Sequence, residues 1–276
     1  MTCEALYQHL YNLYGPVTRA RNCFLYTKKG VRITDLYQEN GRAILGWQGG
    51  SAFTMLKNVI NRSQTGGFIC EENDRLSKAV SELLDSPRKT YYFPDKISAM
   101  KAGLAIAPES TNAYRPWNQT SIVWSDVKCV IIEPPLPWTD SIFILAVAAN
   151  EEAVPVSKLT VPFALKTGIT RAIYNLIAAL QTREEKDWFI YDTILTKYWK
   201  REGPYLYPKI DRKDYDAFIL YCLENGILIN PDYNSPSIIP FGADKGVFEK
   251  LKKSSFNTAD TNSNSVINSR QTGGAE

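Results

Sequence analysis

The stretch Thr90–Ala107, "TYYFPDKISAMKAGLAIA", reads as a short strand, a turn and a helix. Free backbone N–H groups and the positive end of the helix dipole converge at such a turn, which makes it a natural anion site. The turn is Pro94-Asp95-Lys96-Ile97-Ser98. It lacks glycine, so its backbone cannot easily approach a phosphate. Asp95 also brings a negative charge to the spot, where repulsion at ~4 Å and an effective dielectric of ~20 amounts to about 4 kcal/mol per unit charge. Lys96 offsets part of this, and Asp95 is well explained as a helix cap. The expectation is a turn that keeps the geometry of an anion site without its chemistry.

Upstream, Leu76, Ala79, Val80, Leu83 and Leu84 share one face of a helix over about Asp74–Leu84, with Asn73 or Asp74 as its cap. Downstream, "VKCVIIEPPLPW" (Val127–Trp138) and "SIFILAVAA" (Ser141–Ala149) each contain a continuous apolar run that fits a fully buried strand. Two such strands with flanking helices predict a mainly parallel sheet. Nearer the N-terminus, Leu6, Leu10, Leu13 and Tyr14 recur at helical spacing, and "GVRITDLYQENGRAILGW" (Gly30–Trp47) places two β-prone runs around Asn40-Gly41. Asn-Gly suits a type I′ hairpin turn, because both residues accept positive φ. The second half is mostly helical, with stripes at Ile169, Ile173, Leu176, Ile177, Leu180 and at Trp188, Tyr191, Leu195, Tyr198, Trp199 that read as core. A helix after Asp211 closes at Asn225-Gly226, two short strands follow in "ILINPDYNSPSIIPFGA", and Asp244 starts a last helix. Residues 254–276, rich in Ser, Asn, Thr and Gly, read as a disordered tail.

Bulk properties exclude several classes of function. At 276 residues the chain can bury a large core. Its net charge of +3 is too small and too diffuse to argue for nucleic acid. Five scattered cysteines without a CxxC pair, and no leader-like segment, favour reduced thiols and a cytoplasmic location. A single histidine, His9, on a helix with Leu6 and Leu10, argues against a zinc site or a histidine-based triad, so no metal is expected. The longest apolar run, Ile142–Ala149, is far too short to span a membrane.

The order of these pieces resembles the fold-type-I PLP-dependent enzymes, and within them the class III aminotransferases. Three stretches carry the resemblance: "GVRITDLYQENGRAILGWQGG", which looks like the family's N-terminal hairpin; Asp74–Ala107, which looks like its helix, strand, phosphate turn and helix; and Tyr205–Lys253, which looks like its C-terminal small domain. The resemblance implies an α/β fold with a cut-down, mainly parallel PLP-transferase-like sheet flanked by helices and a small α+β C-terminal lobe. The implied organisation is an N-terminal helix and hairpin (1–70) lying on the small lobe, a reduced large domain (71–182), the small lobe (183–253) and the tail (254–276).

The chain departs from the family where the chemistry should be. The family chain is usually much longer, and the shortfall falls in the central sheet. PLP chemistry needs a lysine for the covalent link, an acid beside the pyridine nitrogen and a phosphate cradle. The cradle maps onto Asp95, Lys96 and Ser98, without its glycines. Glu133 resembles a strand-end Glu-Pro of the family, and a carboxylate there points into the usual ligand crevice of an α/β sheet, although a solvated cap is its commoner role. Lys158 and Lys166 follow the second buried strand and are the candidates for the lysine; neither is followed by the family's glycine-rich run, and surface lysine is the commoner role for both. Arg115, beside Tyr114 and Trp117, could bind a substrate carboxylate. The expectation is a non-catalytic, degenerate relative that needs no cofactor and serves in binding a small molecule or as a partner subunit, in a homodimer or with a full-length relative. The alternative is an active PLP-dependent aminotransferase or decarboxylase using Lys158 or Lys166.

Overall fold

The computed structural model describes residues 1–71, 74–118, 121–138, 142–156, 159–253 and 256. In chain order the first elements are α1 (Cys3–Tyr14), β1 (Val17–Arg21), β2 (Phe24–Thr27), β3 (Arg32–Asp35), α2 (Ser51–Asn61), α3 (Arg75–Leu83), β4 (Arg88–Phe93) and α4 (Lys96–Ile106). The central part continues with β5 (Thr111–Ala113), β6 (Cys129–Ile132), β7 (Phe143–Ala148) and α5 (Phe163–Thr182). The last part holds α6 (Lys186–Phe189), α7 (Asp192–Leu195), β8 (Trp199–Glu202), β9 (Tyr205–Pro208), α8 (Tyr215–Glu224), β10 (Ile227–Leu228), β11 (Ser237–Ile238) and α9 (Glu249–Lys253). These elements form two compact units, one of residues 1–37 with those from Lys186 onward, the other Gln38–Glu185.

In the first unit, β1-β2-β3 form an antiparallel meander extended by β10, which runs parallel to β3. A second sheet, β11-β9-β8, is antiparallel. Phe218, Ile219, Cys222 and Leu223 of α8 are completely buried, as is Trp199 on β8. Rings of Tyr198, Trp199 and Tyr221 meet Phe218 at centroid distances of 5.3, 5.2 and 6.1 Å, and such aromatic pairs stabilise a core beyond the area they bury. Gly226 ends α8 at φ 77°, a conformation open to glycine without a Cβ penalty. His9 is exposed on α1.

The second unit is built on a four-stranded sheet of order β4-β7-β6-β5. Side chains alternate across it. Val130, Ile132, Ile144 and Ala146 face α2, α3 and α5; Cys129, Ile131, Leu145 and Val147 face α4. Both apolar runs expected to be strands are strands, and both are buried on two faces. The expected mainly parallel sheet is not found. β7 runs antiparallel to both β4 and β6, and only β5 pairs parallel to β6. The reason is the connection. Residues 133–142 carry three prolines and are too short for the helical crossover that a parallel pair needs, so the chain doubles back. Among all described pairings, only β3–β10 and β5–β6 are parallel.

The hairpin also differs from expectation. Its strands are β2 and β3, with the turn at residues 28–31. Asn40 does take the left-handed conformation, at φ 59°, and Gly41 sits at φ 108°. They lie in a 3₁₀ turn instead, where Ala43 N–H donates to the Gln38 carbonyl and Ile44 N–H to that of Gly41. Burial of Ala43 and Ile44 in the second unit, rather than strand pairing, absorbs the second β-prone run. The expected disordered tail lies outside the described residues, apart from Phe256. Among the described residues no helix is long and apolar enough to cross a membrane.

Candidate functional site

The site grows from two strand ends. β4 stops at Phe93, Pro94 ends its pairing, and α4 begins two residues later. Asp95 is the N-cap of α4: one carboxylate oxygen accepts the Ser98 backbone N–H at 2.7 Å, and the other accepts the Ser98 hydroxyl at 2.8 Å. An intrinsic carboxylate therefore occupies the Ser98 N–H and hydroxyl, two of the donors that an incoming anion would use. Replacing Asp95 by alanine is expected to lower the stability of this unit by about 1 kcal/mol, read as a fall in the urea midpoint with unchanged helical circular dichroism. A change well under half that would mean that water caps the helix as well as Asp95 does.

Glu133 follows β6, and side-chain alternation directs it to the α4 side of the sheet, with Cys129 and Ile131. It meets Arg42, whose Nε lies 3.5 Å from Oε1. The same guanidinium reaches Glu39 Oε2 at 3.4 Å through Nη2, and donates to the Trp138 carbonyl at 3.1 Å through Nη1. Burial pushes the Glu133 pKa up to about 7, against the charges of Arg42 and Lys96, and Glu39 adds to the rise. At neutral pH this carboxyl is poised to hold or release a proton. Thus the structure brings Glu133 and Lys96 into one electrostatic cluster beside the Asp95–Ser98 cap. A shallow groove of about 600 Å³ runs along α4 past Phe93, Asp95 and Ser98 to Val154 and Val156, and Glu133 does not line it.

The remaining candidates are elsewhere. Lys166 sits on α5, which packs against the opposite face of the sheet from α4. Its Nζ lies 3.0 Å from Asp74 Oδ1 and 3.2 Å from Glu71 Oε1. Burial acts to lower the Lys166 pKa, but the hydrogen bond to Asp74 and the charges around it hold the pKa above the ordinary lysine value. The amine is therefore a charged ammonium without a nucleophilic lone pair. Arg115 lies half-buried in the loop after β5. Lys158 lies outside the described residues. Arg42 and Glu39 carry no signal in the sequence: they reach Glu133 only because of the 3₁₀ turn at Gln38–Gly41. Among the described residues, no group of three or more His, Cys, Asp and Glu side chains could hold a metal ion.

No family model matches the chain. An uncharacterized protein of Treponema pallidum (strain Nichols) is 26% identical over 86% of this chain and 92% of its own length. An uncharacterized protein of Borreliella burgdorferi is 22% identical over 87% and 90%. Among solved structures, acetylornithine aminotransferase from Elizabethkingia anophelis matches with a TM-score of 0.61 at 10% identity, covering 91% of this chain and 98% of that one. Ornithine aminotransferase from Plasmodium yoelii gives 0.60 at 10% identity, with 92% and 97% covered. The Toxoplasma gondii ornithine aminotransferase, which holds PLP at partial occupancy in its active site, gives 0.62 at 10% identity, with 91% and 93% covered. At such identity the likeness is one of fold, and this chain has the mixed α/β fold of the ornithine and acetylornithine aminotransferases.

Proposed function

We propose that this chain is a degenerate, non-catalytic relative of the PLP-dependent aminotransferases, keeping their fold and serving as a binding module or partner subunit. The observation that carries this reading is the α4 N-terminus. The Asp95 carboxylate already takes the Ser98 N–H and hydroxyl, so a phosphate dianion would have to displace it against its own charge. The residues present therefore do not fit the phosphate of PLP there. Two further facts support the reading. Lys166 is held as an ammonium by Asp74 and Glu71 on the other face of the sheet. Glu133, with its pKa near 7, is an unreliable permanent anion for a pyridine nitrogen.

The test is spectroscopic. The chain mixed with excess PLP is expected to show no absorbance band beyond that of PLP on exposed lysines, and borohydride treatment followed by peptide mapping is expected to label no single lysine stoichiometrically. A stoichiometric label on one lysine, Lys158 and Lys166 being the first to inspect, would overturn the proposal and make the chain a PLP enzyme with a rearranged site. The partner-subunit role is tested by light scattering of the pure protein and by co-purification from its host. A strict monomer with no co-purifying partner would leave only the binding-module role.

A further inference from the structure

The helices on the sheet face opposite α4 enclose a second feature, which is independent of the Asp95–Glu133 cluster. A cavity of about 430 Å³ opens between α2, α5 and the start of α3. α2 lines it with Met55, Asn58 and Val59, followed by Arg62 at its C-terminal cap, and α5 with Phe163, Lys166, Thr170, Arg171 and Tyr174, each helix set at the spacing of a single face. Cys70, Glu71, Arg75 and Lys78 line it as well.

Its charge is mostly of one sign: among the described lining residues Glu71 is the one carboxylate. Five cations line the wall: Arg62, Arg75, Lys78, Lys166 and Arg171. Glu71 pairs with Lys166 at 3.2 Å and with Arg75 at 3.9 Å, and Asp74 pairs with Lys166 at 3.0 Å. Arg171 is exposed, lines the cavity and donates from Nε to the Ser51 hydroxyl at 3.0 Å. Arg62 and Lys78 are exposed and form no ion pair among the described residues. A cleft lined by one sign of charge over low-dielectric walls concentrates counter-ions of the other sign. Met55, Val59, Phe163 and Tyr174 add apolar surface, and the volume falls in the range of small-molecule sites.

The geometry points to a binding site for a small organic anion, with a doubly charged oxyanion head on a short apolar body. Arg62, Lys78 and Arg171 bind the head, and Met55, Val59, Phe163 and Tyr174 take the body. The two sources of such a head are a phosphate monoester and a dicarboxylate, and both present oxygens that a guanidinium fork can grip.

The experiment uses the full chain at low salt and four probes: phenyl phosphate, phthalate, inorganic phosphate and benzyl alcohol. Saturable calorimetric binding is expected for phenyl phosphate or phthalate, and which of the two binds tighter identifies the head. The Arg62→Gln/Lys78→Gln double variant is expected to weaken it at least about tenfold; both side chains are exposed, so the fold should persist, checked by circular dichroism. The same ligand should slow alkylation of Cys70, which lines the cavity. Absence of saturable binding by both aromatic anions overturns the site. So does binding that the double variant leaves unchanged. Inorganic phosphate or benzyl alcohol binding as tightly as the aromatic anions overturns the assignment of an anionic head joined to an apolar body. Lys166 lines this cavity as well, so the two proposals are separated by competition: a borohydride label on Lys166 that phenyl phosphate blocks overturns the non-catalytic reading and keeps this site, while absence of saturable binding overturns this site alone.

Discussion

Truncation of Arg88 to alanine is expected to be among the most damaging single changes in the second unit, lowering its stability by about 4 kcal/mol. Arg88 opens β4 and is only 4% exposed. Its guanidinium donates to the carbonyls of Val127 at 2.6 Å, Lys128 at 3.1 Å and Trp124 at 2.8 Å, and its Nε donates to the Ser86 hydroxyl at 2.9 Å. One side chain thus satisfies three backbone acceptors of the segment that leads into β6. Charge-assisted hydrogen bonds are the stronger kind, and each carbonyl stripped of its donor inside the protein carries a desolvation penalty. Alanine removes the donors and leaves a void. Lysine keeps the charge but cannot span three carbonyls, so Arg88→Lys is expected to lose about half as much. Urea denaturation gives the size of the loss. Hydrogen exchange gives its place: amides of β4 and β7 should lose protection before those of the first unit. If Arg88→Ala lies within 1 kcal/mol of the parent, water has replaced the guanidinium and this account of the β4–β6 junction fails.

The sequence makes local structure legible here and long-range structure much less so. Asp95 is recognisable as a cap, and Asp74 as one of two candidates with Asn73, because a cap is decided by four consecutive residues; both aspartates bond the N–H three residues on. The runs at 129–132 and 143–148 are recognisable because burial on both faces leaves an unbroken apolar string. Strand direction is a different matter: it depends on the connection, and the proline-rich 133–142 segment held that information in its length. Asn40-Gly41 shows the same division. Its positive φ values were foreseeable, while the loss of its hairpin depended on where Ala43 and Ile44 are buried. Around Glu133, Lys96 could be named from its turn. Arg42 could not, because an arginine after a turn looks like any solvated one until the fold sets it 3.5 Å from a carboxylate. The cavity cations Arg62, Lys78 and Arg171 are exposed, and an exposed lysine or arginine carries no local signal at all.

Between pH 5 and pH 8 the chain is expected to lose about 2.5 kcal/mol of stability relative to its Glu133→Gln variant. The sign follows from the direction of the shift. Burial raises the Glu133 pKa from 4.5 to about 7, so the folded chain binds this proton more tightly than the unfolded chain does. The stabilisation is fully present below the unfolded pKa and is lost as pH rises through 7. Other groups titrate too; Asp74, whose pKa is lowered, works in the opposite sense at acid pH, with its contribution lost as pH falls. Glutamine at 133 removes one proton and leaves the rest, so the difference between the two stability curves isolates Glu133. That difference should fall between about pH 4.5 and 8, most steeply midway between the unfolded and folded pKa values and levelling off above the folded one. A carboxyl carbon resonance of Glu133 titrating near 7 would place the proton directly. Removing the compensating guanidinium with Arg42→Met should move that midpoint upward, because Arg42 is the nearest charge that favours the ionised form. Parallel stability curves for the parent and Glu133→Gln, or an ordinary glutamate midpoint, would show that water reaches the carboxylate, and the Glu133–Arg42 cluster would then hold no poised acid.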